Sequence, residues 1–292
     1  MPASSLLNFV SVGNAPAGPD DLTRAELSYA SALPSSSTLP GHYTANPWMF
    51  QYNHFGDPTT TANPPRLYIP LEATVAGETG KGLAVGVFDI STPGNPIPMY
   101  TLQYPSTALR DAFPESSTNN EQILAASNPW LAYNPADGYF YSSSFNPGYL
   151  EKYQISGRSM TWLYQVPFVD TSLQGTPLSR IQGGKFSSNG KLYLTSDVDG
   201  GGVIVVDMDY QAFDSSNGLQ KQYAVIRSRI PVLRQSGTLW YDEIEGLDIL
   251  DSDGTGMPGI TGQLHVIMMQ NNSLKNDAFY FKHFTVQDKS RL

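Results

Sequence analysis

The sequence contains no cysteine, so disulfide bonds, zinc–thiolate sites and a cysteine nucleophile are excluded. Histidine is scarce, with 4 residues in a chain of 292, and no two of them have the spacing of a metal-binding pair. Basic residues are also few: 17 Lys and Arg against 26 Asp and Glu give a net charge of −9. Because nucleic-acid binding needs clustered basic side chains, we expect no nucleic-acid partner.

Long apolar runs and the common catalytic signatures are missing as well. No stretch approaches the roughly 18 apolar residues of a membrane-spanning helix, so we expect no membrane partner. The first residues lack the pattern of a signal peptide, which leaves the localisation open, with secretion after removal of a leader as one alternative. There is no G-x-S-x-G, no glycine-rich phosphate loop and no H-E-x-x-H, the signatures of serine hydrolases, nucleotide-binding proteins and zinc proteases.

The sequence is rich instead in glycine (26), proline (22) and tyrosine (17), which is typical of short strands joined by turns. Four segments repeat one pattern, in which turns such as ADG, SNG and SDG join strands of alternating polarity. The second strands of these repeats align Tyr68, Tyr141, Tyr193 and His265. Several repeats also contain a fourth strand, so the repeating unit predicts a sheet of four antiparallel strands.

A repeated four-stranded antiparallel sheet predicts an all-β fold, a single β-propeller domain with its blades arranged around a central channel. A β-sandwich is the rival fold, but it would not produce a four-strand period. Five blades fit best, with six as the alternative. The predicted blades cover residues 1–45, 48–104, 128–166, 180–229 and 240–288, with residues 105–127 as a long loop.

The acidic stretch YDEIEGLDILDSDG, residues 241–254, raises the question of a metal site or an acid–base site. Alignment of the repeats divides its six carboxylates between the two ends of a strand roughly 20–25 Å long. Asp251 and Asp253 fall in the hairpin turn, and Glu243 is expected in solvent at the blade edge. Glu245 is expected at one mouth of the channel.

The same alignment brings further polar and aromatic residues to that mouth. Gln182 of IQGG matches Glu245 of IEGL, and His54 belongs to a segment expected nearby, so these three are the predicted catalytic residues. A purely structural role is the alternative for each of them. The predicted substrate-binding residues are Trp48, Phe50, Tyr52, Asn128, Trp130 and Trp240, with packing between blades as the alternative. An aromatic mouth with a few amides and one carboxylate suits an apolar small molecule.

EIEGLDI and IQGGKFSSNGKLYLTSD resemble inner strands of the calcium-dependent lactonase, strictosidine-synthase-like and phytase-like propellers, over about two blades. This resemblance implies a central calcium ion with Glu245 and Asn128 as two of its ligands, but Gln182 stands where a carboxylate is wanted. The chain also loosely resembles propeller proteins of fungal natural-product clusters, some of which are hetero-Diels–Alderases.

Three functions remain open at this point. The first is a cofactor-independent enzyme that promotes cyclisation or cycloaddition of an apolar natural product by orientation and hydrogen bonding. The second is a calcium-dependent lactonase or esterase with His54 as proton acceptor. The third is a non-catalytic propeller that binds a carbohydrate or another ligand. We expect a small-molecule partner, no cofactor and no metal, with calcium as the alternative; the oligomeric state stays open.

Overall fold

The computed structural model describes ten stretches of the chain: residues 54–72, 84–92, 96–104, 129–171, 177–198, 201–211, 221–232, 240–251, 262–272 and 278–286. None of these stretches forms a helix of the length and apolarity needed to cross a membrane. All of their regular structure is strand.

The described residues form sixteen strands. They are β1 (His54–Phe55), β2 (Thr59–Ala62), β3 (Pro65–Glu72), β4 (Ala84–Asp89), β5 (Ile97–Gln103), β6 (Ala132–Asn134), β7 (Tyr139–Ser142), β8 (Tyr149–Ser156), β9 (Ser159–Asp170), β10 (Ile181–Phe186), β11 (Leu192–Ser196), β12 (Gly202–Gln211), β13 (Lys221–Pro231), β14 (Trp240–Ile249), β15 (Leu264–Asn272) and β16 (Ala278–Phe284).

Antiparallel pairing arranges these strands in four groups. In sheet 1, β3, β4 and β5 pair in order, while β1 and β2 both pair with β3. Sheet 2 contains β6 to β9, sheet 3 contains β10 to β13, and sheet 4 contains β14 to β16. The fold is therefore all-β and propeller-like, with each group formed from strands that follow one another in the sequence.

The strands fall where the sequence repeat predicts them. Tyr68, Tyr141, Tyr193 and His265 lie in β3, β7, β11 and β15, the strands that the alignment makes equivalent. The first predicted blade (1–45) and the predicted loop (105–127) lie outside the described residues, so the number of blades stays a prediction.

One feature of the pairing departs from separate four-stranded blades. The long strand β9 runs beside β13 and pairs with it in parallel, Phe168 to Asp170 against Ala224 to Ile226. This pairing joins sheets 2 and 3 into one eight-stranded sheet through their last strands. The repeat pattern does not predict it, because alternation within one repeat does not show which strands of two different repeats will pair.

Three apolar clusters lie between successive sheets and hold the four groups together. Sheets 1 and 2 share a cluster that includes Tyr68, Val87, Leu131 and Tyr153. Sheets 2 and 3 share one that includes Trp130, Tyr141, Phe186 and Ile204, and sheets 3 and 4 share one that includes Tyr193, Val203, Ile244 and Val266. The first strands contact one another in succession, β2 with β6, β6 with β10, and β10 with β14. This succession positions the site described next.

Candidate functional site

Two matching β-bulges open the first strands of sheets 3 and 4. The register of β10 against β11 shifts between Ile181 and Gly183, which makes Gln182 the extra residue. The register of β14 against β15 shifts between Ile244 and Gly246, which makes Glu245 the extra residue. A bulge re-aims a side chain and interrupts strand pairing, and bulges are common beside active sites. Gln182 and Glu245 are both half-buried, while the residues on either side of each are buried.

The backbones of the two bulges contact each other at glycines. A Cβ added to Gly183 would lie 2.6 Å from Cα of Gly246, closer than side-chain atoms approach. Glycine is therefore required at this contact, because no side chain fits between the strands. The contact brings together the backbone segments that carry Gln182 and Glu245.

Asp57 lies directly over this glycine contact. Its Oδ2 accepts a hydrogen bond from the N–H of Gly184 at 3.1 Å and from the N–H of Leu247 at 3.4 Å. Cβ atoms added to Gly183 and Gly246 would lie 2.6 Å from Oδ2 and 2.8 Å from Oδ1 of Asp57, respectively. The two glycines thus leave the space that the carboxyl group occupies.

The main chain of Asp57 ties the same point to sheets 1 and 2. Its N–H donates to the carbonyl of Pro129 at 2.7 Å, and its carbonyl accepts from the N–H of Leu131 at 3.2 Å. The preceding residue, Gly56, donates its N–H to the carbonyl of Pro70 in β3 at 3.0 Å. All four described sheets therefore meet at one residue.

Burial raises the pKa of Asp57 to about 8, despite the two hydrogen bonds from Leu247 and Gly184 that act in the opposite direction. Lys185 of β10 lowers the pKa and Asp248 of β14 raises it. These two form an ion pair at 2.7 Å, so their effects on Asp57 largely offset each other. At neutral pH Asp57 is therefore mostly the uncharged acid, which can both donate and accept hydrogen bonds.

Arg180 borders the bulge of β10 and has an unusual backbone. Its φ is 50°, in the left-handed region that residues other than glycine seldom adopt. Two main-chain hydrogen bonds hold this conformation: its N–H donates to Oδ1 of Asn146 at 3.0 Å, and its carbonyl accepts from the N–H of Asp197 at 2.9 Å. Its guanidinium lies 5.6 Å from the ring centre of Phe145. Such backbone strain is typical of functional sites, where surrounding contacts maintain it.

Asp197 links Arg180 to sheet 4. Its Oδ2 accepts from Nη2 of Arg180 at 2.6 Å, and its Oδ1 accepts from the N–H of Ile244, which precedes the bulge residue Glu245. Glu243 lies 3.6 Å from the same guanidinium. We call the end of the sheets formed by Arg180, Gln182, Asp197, Glu243 and Glu245 the mouth.

The expectation that Glu243 lies in solvent is wrong. Glu243 is only 8 % exposed, and Asp242 beside it is 2 % exposed. The nearby guanidinium of Arg180 explains this burial of Glu243, since an opposite charge offsets the cost of removing a carboxylate from water. At least two of the six carboxylates of the acidic stretch, Asp242 and Glu243, are therefore buried.

The structure treats the predicted site residues differently. The bulges that carry Gln182 and Glu245 touch at Gly183 and Gly246, and the catalytic roles of the two residues stay predictions. Trp130, predicted to bind substrate, is a core residue instead: its side chain is fully buried and its Nε1 donates to Oγ of Ser143 at 3.0 Å. The physical reason is that its ring packs against Gly184, where there is no side chain to exclude it.

Several predicted residues have positions that do not test their roles. For His54 and Trp240 the structure gives the backbone, in β1 and β14 respectively. Trp48, Phe50, Tyr52 and Asn128 lie outside the described residues. The roles assigned to these six residues stay predictions.

The sequence argument missed Asp57 and Arg180. Asp57 precedes a proline in the predicted blade 48–104, but it is not among the positions that the alignment of blades makes equivalent, so the alignment gives no reason to select it. A signal was nevertheless present: IQGG and IEGL place a glycine at the same position after Gln182 and Glu245. Matching glycines on neighbouring inner strands indicate that another group approaches the backbone closely. Arg180 gives no signal, because positive φ at arginine has no sequence pattern.

Metal ligation finds no support in the part of the chain that the structure describes. Within those residues, no three His, Asp or Glu side chains form a group able to hold a metal ion. The carboxylates of Asp197 and Glu243 form ion pairs with Arg180.

Comparison with known proteins assigns no family. No protein-family model matches the chain, and no curated protein matches it. Among solved structures, it is similar to hydrazine synthase of Kuenenia stuttgartiensis at 11% identity and a TM-score of 0.34, covering 80% of this chain and 46% of that one. It is similar to a complex of KlAtg21 with the coiled-coil of AgAtg16 at 13% identity and a TM-score of 0.34, covering 78% of this chain and 57% of that one.

A third similar structure is a putative 6-phosphogluconolactonase from Bacteroides uniformis, at 15% identity and a TM-score of 0.32, covering 80% of this chain and 79% of that one. The chain thus spans about half the length of the first two structures. At these TM-scores none of the three carries an argument about function, so the functional argument depends on the site alone.

Proposed function

We propose that this protein is an enzyme that binds an apolar small molecule at the mouth and promotes its cyclisation or cycloaddition without a cofactor. The observation that carries this proposal is the backbone contact between the two bulges, whose extra residues are an amide, Gln182, and a carboxyl group, Glu245. Two polar groups of this kind can orient a neutral substrate and polarise a carbonyl oxygen.

The chemistry requires little more than such an arrangement. In a hetero-Diels–Alder reaction, a conjugated C=C–C=O unit adds to an alkene, and one C–C bond and one C–O bond form while no atom leaves. No nucleophile and no external proton are consumed. An enzyme accelerates this step by holding the two partners in a near-attack pose and by a hydrogen bond that strengthens as charge moves to the oxygen.

The rigid surroundings of the bulges favour orientation of the substrate as the source of the proposed rate acceleration. The bulges are fixed by the glycine contact and by the hydrogen bonds from Asp57. The rest of the mouth is fixed by Arg180 and Asp197, whose hydrogen bonds connect sheets 3 and 4. Binding groups on rigid elements lose less entropy when substrate binds than groups on mobile loops do.

The lactonase alternative has no observation of its own in the described residues, because it needs a calcium site formed by several carboxylates. The ligand-binding alternative predicts equivalent pockets on successive blades. The mouth differs from that expectation in the part of the chain that the structure describes, since the polar side chains that define it belong to sheets 3 and 4 and are not alike. We therefore propose one function only.

The test uses ortho-quinone methides, released in buffer from stable precursors, with a panel of unactivated cyclic alkenes. The uncatalysed addition gives a racemic adduct, so chiral chromatography measures catalysis against the background. We expect an accelerated, non-racemic product with the wild type, and a rate nearer to background with Gln182→Ala and Glu245→Ala. Gln154→Ala, an exposed amide near the far end of β8, is the matched control and should behave as wild type.

The proposal is overturned if every pair in the panel gives a racemate at the background rate with folded wild-type protein. It is also overturned if both mouth variants retain full stereoselectivity, because catalysis would then occur elsewhere.

A further inference from the structure

Asp57 contacts the two bulges in the same way, although it belongs to neither strand. Gly184 follows Gln182 by two residues, and Leu247 follows Glu245 by two residues. The N–H groups of these equivalent positions donate to one atom, Oδ2 of Asp57, at 3.1 and 3.4 Å. A single carboxyl oxygen thus fixes both strands just after their bulges.

We propose that Asp57 is the positioning residue of the mouth: by holding both bulges through one oxygen, it sets how Gln182 and Glu245 face each other. This inference rests on the proposed function, since it explains how the two proposed catalytic side chains are arranged. Asp57 itself acts through the bulges and is not assigned contact with substrate.

The geometry favours this role over simple filling of the centre. An apolar side chain would fill the space beside Gly183 and Gly246 equally well, but it would leave two buried N–H groups without an acceptor. The position of a bulge residue depends on the backbone next to it, so loss of these hydrogen bonds frees both bulges together. The anchored main chain of Asp57 keeps the carboxyl group in place.

The protonation state of Asp57 provides a way to observe its two hydrogen bonds to Gly184 and Leu247 directly. Burial raises its pKa to about 8, and the charged groups that face it are Lys185 on β10 and Asp248 on β14. An ionised carboxylate is a stronger acceptor than the neutral acid. Ionisation should therefore move the amide protons of Gly184 and Leu247 downfield together, although they lie on different sheets.

The experiment follows the amide signals of ¹⁵N-labelled protein between pH 5.5 and 9.5 and needs no substrate. In the wild type we expect Gly184 and Leu247 to shift with one shared midpoint near 8. In Asp57→Asn, which keeps the acceptor oxygen, we expect neither to titrate. The side-chain amide signal of Gln182 should move in Asp57→Ala and return to its wild-type position in Asp57→Asn. Asp89→Asn, which removes a carboxylate of β4 that contacts Arg66, should leave all three signals unchanged.

Two results would overturn the inference. One is a separate midpoint for each of the two amides in the wild type. The other is a Gln182 signal that Asp57→Asn fails to restore, since packing alone would then explain the effect of the alanine variant. Neither result bears on whether the mouth catalyses a reaction, so the proposed function stands or fails in its own assay.

Discussion

Replacing Asp57 with asparagine should stabilise the protein at neutral and alkaline pH. The pKa of Asp57 rises from 3.8 to about 8 on folding, chiefly through burial. Between these two values the folded protein keeps a proton that the unfolded chain has lost. The contribution of Asp57 to wild-type stability therefore decreases as pH rises through this window and changes no further above it. Asparagine resembles the neutral acid and has no such pH dependence.

The size of the effect follows from the width of the window. One pKa unit corresponds to about 1.4 kcal/mol, so the free energy of unfolding of Asp57→Asn should exceed that of the wild type by an amount that grows by about 1.4 kcal/mol for each pH unit between 5 and 8. At pH 7 the difference is about 4 kcal/mol.

Urea unfolding followed by tryptophan fluorescence at pH 5, 6, 7 and 8 measures this difference. Asp89→Asn is a control of opposite sign, because hydrogen bonds from Ser91 lower the pKa of the half-buried Asp89, so its removal does not stabilise the protein in this range. The reasoning is refuted if Asp57→Asn is less stable than the wild type at pH 8. A difference that stays constant from pH 5 to 8 would refute it as well, because Asp57 would then be ionised in the folded protein.

Three further predictions concern the mouth and the last sheet. Glu245→Gln should keep much of the activity, whereas Glu245→Ala should lose roughly 10²–10³-fold in rate per folded molecule; unchanged turnover of the alanine variant would exclude a functional role. Gly246→Ala should lower the free energy of unfolding, measured in urea, by at least about 1–3 kcal/mol, because the added Cβ would lie 2.8 Å from the Asp57 carboxyl group. Gly148→Ala, where there is open space, should change the free energy of unfolding little. Equal effects of the two substitutions would contradict the glycine contact. Burial lowers the pKa of His283, so the contribution of His283 to stability should be lost as pH falls through about 6.5. The free energy of unfolding of the wild type should therefore fall relative to that of His283→Gln over this range, and parallel pH curves of the two proteins would contradict this.

Much of the fold could be predicted from the sequence because alternation and turn residues repeat. The strands of sheets 1 to 4 follow from that repeat, as does the equivalence of Gln182 and Glu245. Their bulges could not be predicted, since a bulge is a property of two paired strands. The parallel pairing of β9 with β13 also joins two repeats and leaves no mark on either of them.

The site was less predictable than the fold because its central residue, Asp57, is not among the positions that the repeat makes equivalent. Asp57 is selected by the space that glycines leave on two other sheets, so its importance appears only when those sheets are together. Trp130 illustrates the opposite case. Its position in the repeat is as expected, but a glycine opposite it turns a predicted substrate contact into core packing.

The central claim is that a ligand binds at the mouth, beside the two bulges. Its most direct test measures the changes in amide chemical shift that a ligand causes in ¹⁵N-labelled wild-type protein. The probe is the purified cycloadduct of an ortho-quinone methide and a cyclic alkene, titrated to saturation. We predict that the largest shifts occur at Gly183, Gly184 and Gly246 and at the side-chain amide of Gln182. Binding that leaves these four signals unmoved and shifts residues at the opposite end of the sheets would contradict the account.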